Sequence, residues 1–241
     1  MKLSIVIPVF NEEKTIQPVL EKLSSVSLLP GVQKEVIIVE DGSKDQTVKK
    51  IKEFLSLHKK EPFFFYQHEK NRGKGQAVRT GIEKATGEYI IIQDADLEYN
   101  PDDIARLLKE VIEKKAEVVY GTRLKRLPHF EKEEKSGRFL LHYVGNKFLS
   151  LVTSLLYGQW VTDMETCYKL FPKKAVAHMQ LTAKGFEFEP EITVKLMKVG
   201  YRIHEVPIQT KPRSYKEGKK LDTVKDGKKA LWTLIKYRFS Q

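Results

Sequence analysis

Short, nearly uninterrupted apolar runs alternate with amphipathic stretches along the chain, and that alternation leaves few folds open to it. LSIVIPVF (3–10), EVIIVED (35–41), FFFYQH (63–68), YIIIQ (89–93) and VVYGTR (118–123) are each of strand length and rich in β-branched or aromatic residues. Helical patterns fill the gaps. The first runs to about Ser25, with Asn11 as its expected N-cap and Glu12 and Glu13 in its first turn; others cover 45–57 and 75–85. Pro101 opens a further helix that carries Ile104, Leu107, Leu108, Val111 and Ile112 at helical spacing. Apolar strands bounded by helices predict a doubly wound α/β fold, a mostly parallel sheet with helices on both faces. The second half is less regular. It holds a charged linker (124–138), an amphipathic stretch (139–157), CYKLF (167–171), a helix near 187–199 and the strand RIHEVPI (202–208). A basic loop, PRSYKEGKK (212–220), precedes a last amphipathic segment (222–238).

In open sheets of this kind, ligands bind beyond the carboxyl ends of the strands. The unexpected polar residues fall there: Asn11 and Glu12 after the first run, Glu40 and Asp41 after the second, Asp94 and Asp96 after YIII. Helix capping accounts for one or two of these and poorly for all. An Asp-X-Asp pair at a strand end offers two hard oxygen ligands, suited to Mg²⁺ or Mn²⁺ completed by substrate phosphates. A metal there would screen a diphosphate and stabilise the charge growing on it as it leaves. Arg213, Lys216, Lys219 and Lys220 of the basic loop supply matching positive charge for phosphates. Gly73 and Gly75 in NRGKGQA imitate a phosphate-cradling loop. Val78 stands where the third glycine belongs, however, and the stretch does not follow the first strand. No Walker pattern exists either, so a nicotinamide dehydrogenase and a P-loop nucleotidase are both excluded.

The 43 Lys and Arg outnumber the 32 Asp and Glu for a net charge of +11, which favours anionic partners: nucleic acid, an acidic membrane surface or phosphorylated substrates. A nucleic-acid binder is the remote alternative, and it leaves the acidic strand ends without a purpose. Cys167 is alone, which rules out an internal disulfide and fits the cytosol. The six histidines (58, 68, 129, 142, 178, 204) lack zinc-ligand spacing. The N-terminus lacks the features of a signal peptide. The nearest approach to a membrane span, FLLHYVGNKFLSLVTSLLYG (139–158), is broken by His142, Asn146 and Lys147.

Together the motifs IVIPVFNEE (5–13), VIIVEDGSKDQT (36–47), NRGKGQAVRTGIEKATGEYIIIQDADLEYNP (71–101), YGTR (120–123), TDMETCYKLF (162–171), GFEFEPEI (185–192) and GYRIHEVPI (200–208) cover most of the chain in order. In this series the chain resembles family-2 glycosyltransferases of the GT-A fold, and within them the polyprenyl-phosphate sugar synthases, similar to dolichol-phosphate mannose or glucose synthases. The CYK and FEFEPE stretches look closer to the glucose type.

The resemblance implies a hexose moved from a UDP- or GDP-linked donor to a polyprenyl phosphate, with inversion and with Mg²⁺ or Mn²⁺ as cofactor. Pro8, Phe10 and Glu12 would line the nucleoside pocket, Asp41 would read the base with Lys74 nearby, and Ala95 would sit between the metal-binding Asp94 and Asp96. Glu98 is the implied third metal ligand, although glutamine is common there in mannose synthase-like members. Arg123 and Arg138 would sit near phosphates, and Arg213 and Lys219 would reach the donor diphosphate. A phosphate acceptor is already anionic and needs no strong base, whereas a saccharide hydroxyl does. Asp163, Glu165, Glu187 and Glu189 are the base candidates that keep the hydroxyl-acceptor alternative open. The expected organisation is a catalytic domain (1–212) followed by the basic loop and a C-terminal helix (213–241). That helix either lies in a membrane interface with its five basic residues as a flank, or docks on the domain. The expected location is peripheral, on the cytoplasmic membrane face. Family members often continue into transmembrane helices. The chain stops at KYRFSQ, which leaves a soluble form, one with a separate membrane-embedded partner, or a truncated one.

Overall fold

The β-branched runs pair into one twisted sheet because nothing but another strand can satisfy their backbone while both faces are apolar. In the computed structural model, residues 1–123, 137–211 and 222–240 are described, the side chains of 137–139 excepted. The elements in the first half are β1 (Lys2–Val9), α1 (Ile16–Ser25), β2 (Gln33–Glu40), α2 (Thr47–Leu57), β3 (Phe63–Gln67), α3 (Lys74–Lys84), β4 (Tyr89–Ile92) and α4 (Asp103–Ile112). The second half adds β5 (Val118–Thr122), α5 (Gly137–Tyr157), β6 (Lys169–Pro172), α6 (Lys173–Val176), α7 (Phe188–Lys198), β7 (Ile203–Pro207) and α8 (Thr223–Phe239). The seven strands lie in the order β3-β2-β1-β4-β6-β5-β7. All pairs are parallel except those of β6, which runs antiparallel to both β4 and β5. Leu3, Ile5, Ile7, Val36, Ile38, Ile90 and Ile92 are fully buried, as strands covered on both faces require.

A polar tie holds the start of the sheet. Glu35 is buried and accepts hydrogen bonds from Ser4 Oγ (2.6 Å), Thr86 N (2.6 Å) and Thr86 Oγ1 (2.7 Å), beside the Lys2 ammonium at 2.5 Å. Burial works to raise its pKa, but these partners outweigh burial and bring it down to about 2. At the other end of the strands, the loops after β1 and β2 are knitted together. Asn11 Oδ1 accepts from Lys44 N at 2.8 Å, and Glu12 N donates to Thr47 Oγ1 at 2.8 Å. Asn11 therefore does not cap α1, which begins only at Ile16. Its backbone is left-handed (φ 48°), a conformation asparagine tolerates, and its side chain serves the neighbouring loop instead.

α8 packs on α5 and α7 through a small second core of Leu149, Met164, Val194, Ala230 and Leu234. Of the apolar side expected of this helix (Val224, Leu231, Ile235 and Phe239, with Trp232 and Tyr237 beside them), only Leu231 and Tyr237 pack against that core; Val224, Trp232, Ile235 and Phe239 are exposed, while Ala230, Thr233 and Leu234 are buried. α5 likewise leaves Leu140, Leu141, Val144, Phe148, Leu151 and Leu155 exposed along one helical stripe. No helix among the described residues is long and apolar enough to cross a membrane.

Candidate active site

The carboxyl ends of β1, β2 and β4 converge on one cavity of about 400 Å³. Pro8, Phe10, Glu12, Asp41, Lys74, Asp94, Ala95, Asp96, Glu98, Arg123 and Glu165 all line it. Arg138, Arg213 and Lys219, with Lys216 and Lys220, lie outside the residues and side chains described.

Asp41 is buried and holds its own surroundings in shape. Its carboxylate accepts from Arg72 N (2.9 Å) and Gly73 N (2.8 Å), and it pairs with His68 Nδ1 at 2.7 Å. Gly73 takes φ 95°, and a Cβ there would collide with the Lys184 backbone, so the loop entering α3 needs glycine at that point. Lys74, the next residue, turns its ammonium to the acidic pair. It lies 2.8 Å from Asp94 Oδ1 and 3.3 Å from Glu189 Oε1. Glu189 is in turn held by the fully buried Lys169 at 2.6 Å, giving a chain of alternating charge, Lys169–Glu189–Lys74–Asp94, from core to cavity. Burial alone would lower the Lys74 pKa, but Asp94 and Glu189 raise it well above the ordinary value.

Asp96 accepts from Glu98 N at 3.1 Å. Burial, then the charges of Asp94 and Glu98, push its pKa up to about 7. A carboxylate pair strained by mutual repulsion is what a divalent cation relieves, and hard oxygen donors suit Mg²⁺ and Mn²⁺, so the residues fit such an ion. Among the described residues no three Asp, Glu, His or Cys side chains converge as a metal cluster. Further ligands would come from substrate phosphate or water.

The four base candidates separate cleanly. Asp163 is fully buried and accepts from Arg123 N (2.8 Å), Nε (2.9 Å) and Nη2 (2.9 Å); Arg123 outweighs burial and holds its pKa low. Glu187 accepts from Lys184 N (3.1 Å) and Gly185 N (3.0 Å), and its pKa too lies below the usual range despite burial. Glu189 belongs to the charge chain. Like Glu187 Oε2 and Glu189 Oε1, Glu165 Oε1 is buried with no hydrogen-bond partner among the described residues; Glu165 differs in that burial pushes its pKa up to about 7.

Several lining residues were not foreseen. Tyr99 Oη accepts from Cys167 N at 2.9 Å, and its ring lies 5.9 Å from the Arg123 guanidinium. Phe186 lies 5.7 Å from the Lys74 ammonium. His142 and Asn146 reach the cavity from α5, Lys228 and Leu231 from α8. The available signal was the polar interruption of the 139–158 run, since two of the residues that break it line the cavity.

Residues 4–179 match the profile of glycosyl transferase family 2. The chain is 34% identical over 221 residues to the UDP-N-acetylglucosamine–dolichyl-phosphate N-acetylglucosaminyltransferase of Methanococcus voltae, covering 86% of this chain and 84% of that one. An uncharacterized protein of Methanocaldococcus jannaschii is 30% identical over 236 residues, with 96% and 90% covered. Among solved structures, glucosyl-3-phosphoglycerate synthase from Mycobacterium tuberculosis, in complex with Mn²⁺, UDP and phosphoglyceric acid, superposes with TM-score 0.70 at 17% identity, covering 100% of this chain and 79% of that one. A mannosyltransferase from Pyrobaculum calidifontis, with GDP-Man and Mn²⁺, gives TM-score 0.59 at 18% identity over 85% of this chain and 54% of its own. The fold is the one these structures share, and the nucleic-acid reading falls away. The chain belongs to glycosyl transferase family 2 and is a glycosyltransferase.

Proposed function

We propose that the protein transfers a sugar from a nucleotide diphosphate sugar to a polyprenyl phosphate at a membrane surface. One observation carries this reading: the cavity that begins at Asp94 and Asp96 continues between α5 and α8, the two helices that expose apolar faces. The sequence likeness to a dolichyl-phosphate N-acetylglucosaminyltransferase supports a lipid acceptor and favours a UDP-linked donor.

Asp94 and Asp96 would hold the Mg²⁺ or Mn²⁺ ion, which supplies charge neutralisation to the departing diphosphate. Pro8 and Phe10 line the end of the cavity nearest β1, and the loop clamped by Asp41 bounds the nucleoside site. Lys74 holds Asp94 in place through their 2.8 Å ion pair. Arg123 and Lys228, which line the cavity, bring positive charge to the acceptor side, with Arg138 as a further acceptor-phosphate contact and Arg213 and Lys219 as contacts to the donor diphosphate. The acceptor oxygen is anionic at neutral pH, so orientation and charge neutralisation suffice for in-line displacement with inversion at the anomeric carbon. The exposed Trp232, Ile235 and Phe239 of α8, flanked by Lys225, Lys229, Lys236 and Arg238, suit an interfacial position against anionic lipid, as does the apolar stripe of α5. The test is label transfer from a panel of UDP- and GDP-sugars to a short polyprenyl phosphate, with EDTA as control. Organic-phase label from one donor, lost on chelation, is expected; donor binding with no lipid-linked product would reject the acceptor.

Glu165 favours a second reading, a saccharide hydroxyl acceptor, because a buried carboxyl titrating near neutrality is a competent base. Glu165→Gln separates the two. With a phosphate acceptor, transfer at pH 8 falls less than about 10-fold; with a hydroxyl acceptor it falls about 10²–10⁴-fold and the pH–rate limb near 7 disappears. Stability gives an independent check. Raised from 4.5 to about 7, Glu165 favours the folded state fully below pH 4.5 and loses that contribution as pH rises to about 7. The glutamine variant lacks this loss, so above pH 7 it is expected to be more stable than wild type by on the order of 3 kcal/mol, and equal to it below pH 4.5. Parallel pH–stability curves for the two proteins would refute the buried, protonating Glu165.

A further inference from the structure

We propose that Gly145 on α5 and Gly227 on α8 form the passage by which the first isoprene units of the acceptor reach the acidic pair, and that their missing side chains decide which tails fit. The inference rests on the lipid-acceptor reading above and adds to it the residues that gauge the tail.

Both glycines sit inside helices, where glycine is disfavoured against almost any other residue. Packing among the described residues does not require them: a Cβ built at either meets no heavy atom within 4 Å. The contrast is with the glycines of α3. A Cβ on Gly75 would lie 2.7 Å from Ala183 O, and one on Gly81 would strike Val6 Cγ1. Those two glycines exist for close packing; Gly145 and Gly227 leave open space. That space is the cavity, since both line it, one from each of two helices packed on each other. The same cavity is lined at its inner part by Asp94 and Asp96, and by Glu165, whose Oε1 is buried. Its outer part includes Phe148 and Val224, which line the cavity and are also 52% and 56% exposed. A mostly apolar route, edged by His142, Asn146, Asp226 and Lys228, therefore runs from the carboxylates, over two bare stretches of helix backbone, to the exposed faces of α5 and α8. A branched, apolar chain with a phosphate at one end matches that sequence of surfaces.

The test uses the whole chain with Gly145→Leu and Gly227→Leu, the matching alanine variants, and Lys52→Leu, an exposed position on α2 that does not line the cavity, as control. Melting temperature, donor affinity and KM for a ten-carbon polyprenyl phosphate are read for each. The alanine variants are expected to melt higher than wild type, because they remove glycine from helices into free space. Each glycine-to-leucine variant is expected to stay folded, to bind donor unchanged and to raise KM for the lipid phosphate at least 10-fold, with Lys52→Leu unaffected. A leucine variant that fails to fold would show that the space is not open, and overturns the passage. Folded leucine variants with wild-type KM overturn it equally, while leaving the lipid-acceptor reading intact. If wild type transfers sugar to no polyprenyl phosphate, that reading falls first and the passage with it.

Discussion

Asp96→Asn is expected to lower sugar transfer by about 10³-fold, roughly 4 kcal/mol of transition-state stabilisation, while the chain stays folded and melts at or above the wild-type temperature. The two halves of this expectation have one cause. Asp96 is buried beside Asp94 and Glu98, and in the metal-free protein its charge is unwelcome, as its pKa of about 7 against an ordinary 3.8 records. Asparagine removes the repulsion and, with it, half of the oxygen pair that would hold the cation. At pH 8 the folded wild type carries the cost of that charge, whereas below pH 3.8 it does not, so the stability difference is expected to grow with pH. Manganese titration followed by paramagnetic broadening checks the binding half, and a thermal melt across pH checks the other. An Asp96→Asn protein that keeps wild-type turnover would remove Asp96 from the metal site.

The second large effect lies in the core. Lys169→Met is expected to destabilise the fold by about 3–5 kcal/mol, because it strips the buried Glu189 of its 2.6 Å partner and leaves the charge leaning on Lys74. For a chain of this size that is a fall of roughly 10 °C or more in Tm. Glu189→Gln in the same background is expected to restore much of the loss, since two neutral groups no longer demand solvation. Strictly additive losses in the double variant would show that the two side chains do not act as a pair. The cavity feels the same change: with Glu189 relying on Lys74 alone, Lys74 is drawn from Asp94, and donor affinity falls even at temperatures where the variant is folded.

Much of this was legible in the residues, for reasons that differ by element. The strands announced themselves because parallel strands buried on both faces must be apolar throughout, and the helices because α4 keeps Ile104, Leu107 and Leu108 on one buried face. The acidic strand ends gave the cavity, since parallel strands deliver the residues after their carboxyl ends to a common edge. The features that stayed hidden depend on partners distant in sequence. Asn11 reads as a helix cap until Lys44 is beside it. Asp163 and Glu165 look alike in TDMETCYKLF, and only the position of Arg123 separates a salt-bridge anchor from a buried carboxyl that titrates near neutrality. The reversal of β6 is equally invisible in its composition. It matters because an antiparallel strand brings the residues that precede it, Asp163 to Cys167, to the edge where its neighbours deliver the residues that come after them. On α8 the conspicuous residues, Trp232 and Phe239, are exposed, and the docking is done by Ala230 and Leu234, which no ranking by bulk would single out.

The placement of β6 also dictates an order of assembly. β3, β2, β1 and β4 form a contiguous block drawn entirely from residues 2–92, and every pairing inside it is available once that segment exists. β5 has no such luck: its two neighbours, β6 and β7, begin at Lys169 and Ile203, long after Thr122 has been made. On a ribosome adding roughly 5–20 residues per second, the outer edge of β4 and both edges of β5 wait several seconds for partners. Unpaired edges of buried strands invite association with other chains. The nascent protein is thus most vulnerable in the interval between its two halves, and refolding monitored by pulsed hydrogen exchange is expected to protect the amides of β1 and β2 before those of β5. Simultaneous protection would mean that the sheet closes in a single step.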